Sequence, residues 1–239
     1  MKRKQPHVVR PVSGVRVVII AGTFVSAAAA RVYEPLADVF RRRDYAVKIL
    51  TIPRLGLGSL DDAANRLDEA IFSEDDAQLI LVGHSQGGVH TLDLAGRHPD
   101  RVVAVFNFAT PHHGTRLASL GHWVSWVPAI RGMEAHSRHL HNLRGVREFE
   151  EENIHSLYTI FDQLVVPWFA STMYGAKNVV LAPAILHRLL SRAGFRRSEG
   201  VELIHGYAEH LFVIWHRQFH DYIGQQLDRL DGQQLELVG

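Results

Sequence analysis

Residues 79–88 hold the side chains that are best arranged for chemistry. An apolar run, 79–82, leads directly into the segment Gly83-His84-Ser85-Gln86-Gly87. A serine at the turn from a buried strand into a helix projects its hydroxyl, and the helix N-terminus supplies a backbone N–H and partial positive charge where an oxyanion would form. Small residues must flank the serine, because side chains at Gly83 and Gly87 would collide with neighbouring backbone. The pattern predicts that Ser85 is a nucleophile for acyl transfer.

A second motif lies downstream and reads Ala109-Thr110-Pro111-His112-His113-Gly114-Thr115. Together with 83–88, it resembles the bacterial lipase and esterase branch of the α/β-hydrolases, in which a Thr-Pro-His-X-Gly-Thr turn leads into the lid. The resemblance covers nearly the whole chain and is poorest after Gly175. It implies an α/β-hydrolase fold, with helices on both faces of a mostly parallel sheet and a small helical cap. Epoxide hydrolases and haloalkane dehalogenases share this fold but carry an aspartate nucleophile, so Ser85 argues against both.

Asp162 is the predicted acid of a catalytic triad. In this fold the acid and the base follow the serine in the order Ser, Asp or Glu, His, each just beyond a strand. Asp162 ends the apolar run 157–161 and precedes 163–167, which resembles the family's strand-Asp-X-X-Val-X-Pro pattern. An aspartate in a turn can also act only as a local cap, and this alternative stays open.

His210 is the predicted base among 16 histidines. It follows the run 201–209 and begins the predicted C-terminal helix, where the family's catalytic histidine stands. His205 lies inside the predicted last strand and is kept as the alternative, whereas His187 falls in an apparent helix and is interpreted as a packing or surface residue. Residues 175–181 resemble a segment that in relatives runs almost directly into the histidine. An additional stretch intervenes here, which predicts an unusual sheet edge or cap.

Two backbone N–H groups must hold the oxyanion of acyl transfer. One is predicted to be that of Gln86, directly after the nucleophile, and the other to come from the loop 21–24. Relatives usually carry His-Gly in this loop, where this chain has Ala-Gly, so Thr23 aligns with the donor residue. The alternative is that the loop only turns the chain. Phe24, next in the loop, is predicted to bind substrate.

Residues 115–150 and 182–199 interrupt the alternation of strands and helices and are candidates for a cap over the site. The first stretch includes an apolar cluster, 117–130, with Trp123 and Trp126. As a lid, this cluster would offer apolar walls to an acyl chain, so both tryptophans are predicted to bind substrate. The alternative is that the cluster packs on the domain as core.

The adjacent His112 and His113 do not predict a metal site. Neighbouring side chains diverge, and no carboxylate or third histidine lies at ligand spacing. His84 is predicted to pack and to form hydrogen bonds, because its position aims it away from the reacting face of Ser85. Triad chemistry requires no metal and no cofactor.

The elements that must position these residues alternate along the chain, as is typical of βαβ units on a parallel sheet. Strands are predicted at 15–20, 46–52, 78–83, 102–108, 156–161 and 201–205, and helices at 27–43, 59–73, 86–97 and 211–229. We expect one α/β domain over 1–239, with a flexible tail at 1–13 and the cap at 115–150. Basic residues before the apolar stretch 17–30 imitate a signal peptide, but cleavage there would remove a central strand.

Composition limits the possible partners. The chain has 239 residues, of which 46% are hydrophobic and 21% charged, and its formal net charge of +1 gives no electrostatic reason to expect nucleic acid or an anionic membrane as the main partner. It has no apolar segment of membrane-spanning length. It also has no cysteine, which excludes disulfides and thiolate catalysis. We expect a cytoplasmic enzyme that acts on a small-molecule or lipid ester, and the oligomeric state is left open.

The expected reaction is hydrolysis of a carboxylic ester through an acyl-enzyme. A thioesterase or an acyltransferase would use the same triad, and an acyltransferase would differ in the acceptor that resolves the intermediate. The alternative from another class is a catalytically silent hydrolase fold that serves as a binding protein.

Overall fold

A parallel sheet is the centre of the structure, a computed structural model that describes residues 14–73, 76–116, 127–134, 137, 140, 153–192 and 201–238. The strands in these ranges are Val15–Ile20 (β1), Ala46–Leu50 (β2), Gln78–His84 (β3), Val102–Phe108 (β4), Ile154–Thr159 (β5), Lys177–Ala182 (β6) and Val201–His205 (β7). They form one sheet in the order β2-β1-β3-β4-β5-β6-β7, and every neighbouring pair is parallel. The predicted parallel sheet is confirmed, and the carboxyl ends of its strands meet at one edge, where open α/β sheets bind their ligands.

Helices cover both faces of this sheet. Those in the described ranges are Glu34–Arg41 (α1), Leu60–Phe72 (α2), Gln86–Arg97 (α3), Pro128–Gly132 (α4), Ala184–Arg192 (α5) and Arg217–Val238 (α6). Side chains alternate along β1, so Val17 and Ile19 pack with α1 and α6, whereas Val18 and Ile20 pack with α2 and α3. None of the helices in these ranges has the length and apolarity needed to cross a membrane.

The edge of the sheet that carries β7 differs from the prediction. The strand predicted at 156–161 lies two residues earlier, and β6 was missed, because a short apolar run cannot be told from a buried helical segment by periodicity. The proposal that 182–199 belongs to a cap is wrong for its described part. There α5 connects β6 to its parallel neighbour β7, and Leu190 packs against a buried cluster that contains Leu203.

Two predicted helices begin later in the chain than their sequence patterns suggested. The helix predicted at 27–43 divides into a 3-10 segment, Ala29–Tyr33, and α1, which begins where Pro35 is tolerated in a first helical turn. The helix predicted at 211–229 begins only at Arg217, after a 3-10 segment, Phe212–Trp215. His210 therefore does not begin a helix and lies instead in the turn before that segment.

The described part of the predicted cap packs on the rest of the protein. Val127 and Ala129 join a buried cluster with Leu60 of α2 and Val89 of α3. Residues 117–126, which include Trp123 and Trp126, lie outside the described residues, as does 1–13, the predicted tail. The lid thus stays a prediction.

Candidate active site

The turn after β3 holds Ser85 in a backbone conformation that a non-glycine residue rarely adopts, with φ 55° and ψ −123°. This turn runs straight into α3. A Cβ at Gly83 would collide with the backbone of Gly88, and one at Gly87 with the carbonyl oxygen of Ile20. Such strain persists only where the surroundings enforce it, and it is typical of functional sites. The predicted strand-turn-helix around the serine is present.

Ser85 opens into a cavity of about 350 Å³ at the carboxyl edge of the sheet. Its size lies near the lower end of the usual range for ligand pockets. Its lining combines the polar residues of the site with apolar walls, Leu57, Ala129, Met133, Leu164, Val165 and Leu211. His210, Thr23 and Phe24 line the same cavity, and 68% of the Phe24 surface is exposed. The structure thus brings these four predicted site residues together.

Asp162 holds the ring of His210 at one side of the cavity. The Nδ1 atom of His210 is 2.9 and 2.8 Å from the two carboxylate oxygens. Asp162 Oδ1 also accepts hydrogen bonds from the N–H groups of Leu164 at 2.9 Å and Val165 at 2.7 Å. Because a carboxylate accepts, Nδ1 carries the ring proton of a neutral imidazole, and Nε2 is left as the basic nitrogen. Both side chains are buried, with 7% of His210 and 1% of Asp162 exposed.

No hydrogen bond joins Ser85 Oγ to another residue within the described ranges. Catalytic hydrogen bonds are often long before a substrate arrives and shorten in the complex. The other two histidines considered from the sequence lie elsewhere. His205 is exposed at the end of the edge strand β7, and His187 lies within 3.3 Å of the carbonyl oxygen of Leu203.

Some of the backbone N–H groups near the serine already donate hydrogen bonds within the protein, and others do not. In the loop 21–24, the Gly22 N–H donates to the Tyr33 hydroxyl at 2.9 Å, and the Phe24 N–H donates to the Leu55 carbonyl at 2.9 Å. The Thr23 N–H has no acceptor among the described residues, and neither has the Gln86 N–H. These are the two amides that the sequence predicts as oxyanion donors.

The side chains of the two candidate donors are bonded to one another. Thr23 Oγ1 donates to Gln86 Oε1 at 2.6 Å, although the residues are 63 positions apart in the chain. Gln86 is fully buried. The bond therefore fixes the spacing between the loop after β1 and the start of α3.

The second sequence motif supports the loop that carries Asp162. Thr115 Oγ1 donates to the Leu164 carbonyl at 2.7 Å and accepts from the Val166 N–H at 3.2 Å. His112 is buried beside Ser156, with its Nε2 atom 3.2 Å from the hydroxyl, and burial lowers its pKa to about 3. In the described part of the chain, no three acidic, histidine or cysteine side chains are grouped to hold a metal ion.

The structure adds residues that the sequence did not identify. Tyr33 hydrogen-bonds the loop 21–24, and Ala129 and Met133 of the cap region line the cavity. Tyr33 and Ser85 belong to different elements, and no sequence motif includes both. The contacts of Tyr33, Ala129 and Met133 with the site could therefore be found only from the fold.

Comparisons with known proteins identify the architecture. No family model matches the chain, and no curated protein matches it either. Among solved structures, Aspergillus fumigatus lipase B aligns with a TM-score of 0.54 and 21% identity over 69% of this chain, which spans 41% of that lipase. One of the metagenome-derived lipolytic enzymes LipS and LipT aligns with a TM-score of 0.62 and 14% identity, covering 92% of this chain and 96% of that one.

A third structure, the mouse alpha/beta hydrolase domain-containing protein 10, aligns with a TM-score of 0.54 and 14% identity, covering 92% of each chain. At these identities the likeness concerns the fold and not the reaction. The parallel sheet, the strained serine turn after β3 and the structural neighbours agree. This chain has the α/β-hydrolase fold.

Proposed function

We propose that this protein hydrolyses acyl esters, with Ser85 as the nucleophile and His210 as its general base. The observation that carries the proposal is the shared cavity onto which Ser85 and the Asp162-bonded His210 both open. An activated serine needs a base whose tautomer is set by a carboxylate, and the hydrogen bond between His210 and Asp162 meets this requirement.

The reaction proceeds in two half-reactions of the same kind. His210 Nε2 takes the hydroxyl proton as Ser85 Oγ attacks the ester carbonyl, and the N–H groups of Thr23 and Gln86 stabilise the oxyanion. The imidazolium, which Asp162 stabilises, then protonates the leaving alcohol as the ester bond breaks. Water attacks the acyl-enzyme with its proton passing to His210, and the carboxylic acid leaves as Ser85 regains its proton.

Apolar walls favour an acyl chain as the bound part of the substrate. Leu57, Ala129, Met133 and Leu211 offer a surface that a hydrocarbon would cover, and burying apolar area stabilises the complex. Phe24 is exposed at the same cavity and is a proposed substrate contact. Trp123 and Trp126 are further proposed contacts that lie outside the described residues.

A panel of p-nitrophenyl esters from acetate to palmitate tests the proposed function. We expect the protein to release p-nitrophenol catalytically from at least part of the panel, and to be labelled covalently by a fluorophosphonate. Product analysis with added alcohol distinguishes hydrolysis from transfer to another acceptor. A protein that turned over none of the esters and took up no label would be a binding protein with a silent site, contrary to the proposal.

The bond between Thr23 and Gln86 provides a test of the oxyanion site. Replacing Thr23 with valine keeps the backbone donor and the side-chain shape but removes the hydroxyl, so kcat for p-nitrophenyl acetate should fall about tenfold, as for the loss of one partly buried hydrogen bond. Thr23→Ser retains the hydroxyl and should restore most of the activity. Equal kcat values for the valine and serine variants would show that this hydrogen bond does not contribute to catalysis.

A further inference from the structure

His84 lies between two hydrogen bonds that reach different loops of the site. Its Nδ1 atom is 2.8 Å from the Tyr33 hydroxyl, and its Nε2 atom is 3.1 Å from the carbonyl oxygen of His210. The Tyr33 hydroxyl in turn lies 2.9 Å from the amide nitrogen of Gly22. Tyr33 and His84 are 0% and 4% exposed. Because both side chains are buried, their polar atoms need hydrogen-bond partners within the protein, and these bonds supply them.

The direction of each bond follows from what its atoms can do. A carbonyl oxygen only accepts, so the Nε2–H group of His84 donates a hydrogen bond to the carbonyl oxygen of His210. Burial, reinforced by the nearby His210, lowers the pKa of His84 to about 3, so the ring is neutral and Nδ1 accepts from the Tyr33 hydroxyl. Burial also raises the pKa of Tyr33 to about 12, and the protonated hydroxyl accepts from the Gly22 N–H. The three hydrogen bonds therefore form one chain of donors and acceptors, from the Gly22 N–H to the His210 carbonyl.

We propose that Tyr33 and His84 are positioning residues, which hold the oxyanion loop and the base loop in place relative to Ser85. The proposal rests on the proposed ester hydrolysis. Tyr33 holds the loop immediately before the proposed donor Thr23, and His84 holds the backbone of the proposed base, His210. His84 also directly precedes the nucleophile in the chain. One buried side chain thereby connects all three groups.

Asp162 and His84 hold His210 at different atoms. Asp162 accepts from the ring nitrogen at 2.8 Å, which sets the orientation of the imidazole. His84 bonds to the backbone carbonyl at 3.1 Å, which sets the position of the loop. Both must be correct, because displacements of about 1 Å between reacting groups can cost orders of magnitude in rate.

The protein contains a matched pair of the same chemistry away from the cavity. His155 Nδ1 is 2.9 Å from the Tyr222 hydroxyl, and the two residues are 2% and 5% exposed. Burial lowers the pKa of His155 to about 3, as for His84. Neither member of the remote pair lines the cavity. Tyr222→Phe is therefore a control for the loss of a buried tyrosine–histidine hydrogen bond as such.

The experiment compares Tyr33→Phe with Tyr222→Phe in the full chain. We expect Tyr33→Phe to lower kcat for p-nitrophenyl acetate about tenfold with KM changed less than twofold, since positioning acts on the transition state. Its rate of labelling by a fluorophosphonate should fall in parallel. Tyr222→Phe should keep kcat within twofold of wild type. If both variants kept wild-type kcat, or both lost it equally, the bond to Tyr33 would be structural only.

A measurement on the wild-type protein covers the case in which Tyr33→Phe fails to fold. Nitrogen-15 NMR of the histidine rings should show His84 neutral, with its proton on Nε2, throughout the range of pH 5 to 8. The opposite tautomer, or titration within that range, would break the chain of bonds and overturn the proposal. The tautomer and protonation of the His84 ring do not depend on turnover. Failure of the proposed function can therefore be distinguished from failure of this proposal, because it would leave the wild-type protein without esterase activity.

Discussion

Replacing Ser85 with alanine should lower kcat for p-nitrophenyl esters by roughly 10⁴-fold or more, as deletions of catalytic triad members do. The reason is chemical, because alanine has no hydroxyl to form the acyl-enzyme and the remaining groups only bind and polarise the ester. Steady-state kinetics against the uncatalysed rate measure the loss.

The matched control for this variant is Ser73→Ala. Ser73 lies at the end of α2, where its hydroxyl bonds to a carbonyl of that helix and does not line the cavity. Its substitution should leave kcat unchanged. Circular dichroism must show that the Ser85 variant is folded. Near-wild-type turnover by folded Ser85→Ala would contradict the serine mechanism.

His210→Ala should lose activity to within about tenfold of Ser85→Ala, because the two residues act as one unit and their effects are not additive. His205→Ala is the control from the same part of the chain and should cost much less. Its side chain is exposed at the end of the edge strand and does not line the cavity. The kcat values of the three folded variants decide between the two histidines.

Asp162→Asn extends the same test to the third residue. An amide in place of the carboxylate would favour the wrong tautomer of His210, at a cost on the order of 10⁴-fold in the analogous serine protease. If His205→Ala were inactive while His210→Ala and Asp162→Asn remained active, the proposed assignment of base and acid would be wrong.

The serine turn could be predicted because its requirements are local. A buried strand, two small residues around Ser85 and a following helix are all contiguous in the sequence, and each has its own physical reason. β1 and β4 were predicted with correct bounds for a similar reason, since their apolar runs are long enough to stand out. The parallel sheet followed from their alternation with helices.

The end of the sheet was predicted only in part, because β7 has its predicted bounds, whereas β6 was missed and α5 was assigned to a cap. α5 has no buried residue. Without a strong apolar pattern, α5 resembled part of a cap, although it forms the crossover between two parallel strands. The location of His210 could still be predicted, since the turn after the last strand remains at the same edge of the sheet.

Contacts between side chains that are far apart in the chain could not be predicted from the sequence. The Tyr33 hydroxyl meets His84 across 51 positions, and Thr23 meets Gln86 across 63. Neither pair has a spacing that a local motif records, because the sheet order brings β1 next to β3. The sequence therefore predicted which residues could react, and the fold adds which residues hold them.

Covalent labelling by a fluorophosphonate, mapped by mass spectrometry of proteolytic peptides, tests whether Ser85 is the nucleophile. The phosphonyl group forms a bond to an activated serine oxygen as fluoride leaves, so it reports the nucleophile without requiring knowledge of the substrate. We predict one label per chain, on Ser85, with the label absent from Ser85→Ala and slowed in His210→Ala. A wild-type protein that remained unlabelled, or carried its label on another residue, would contradict the account.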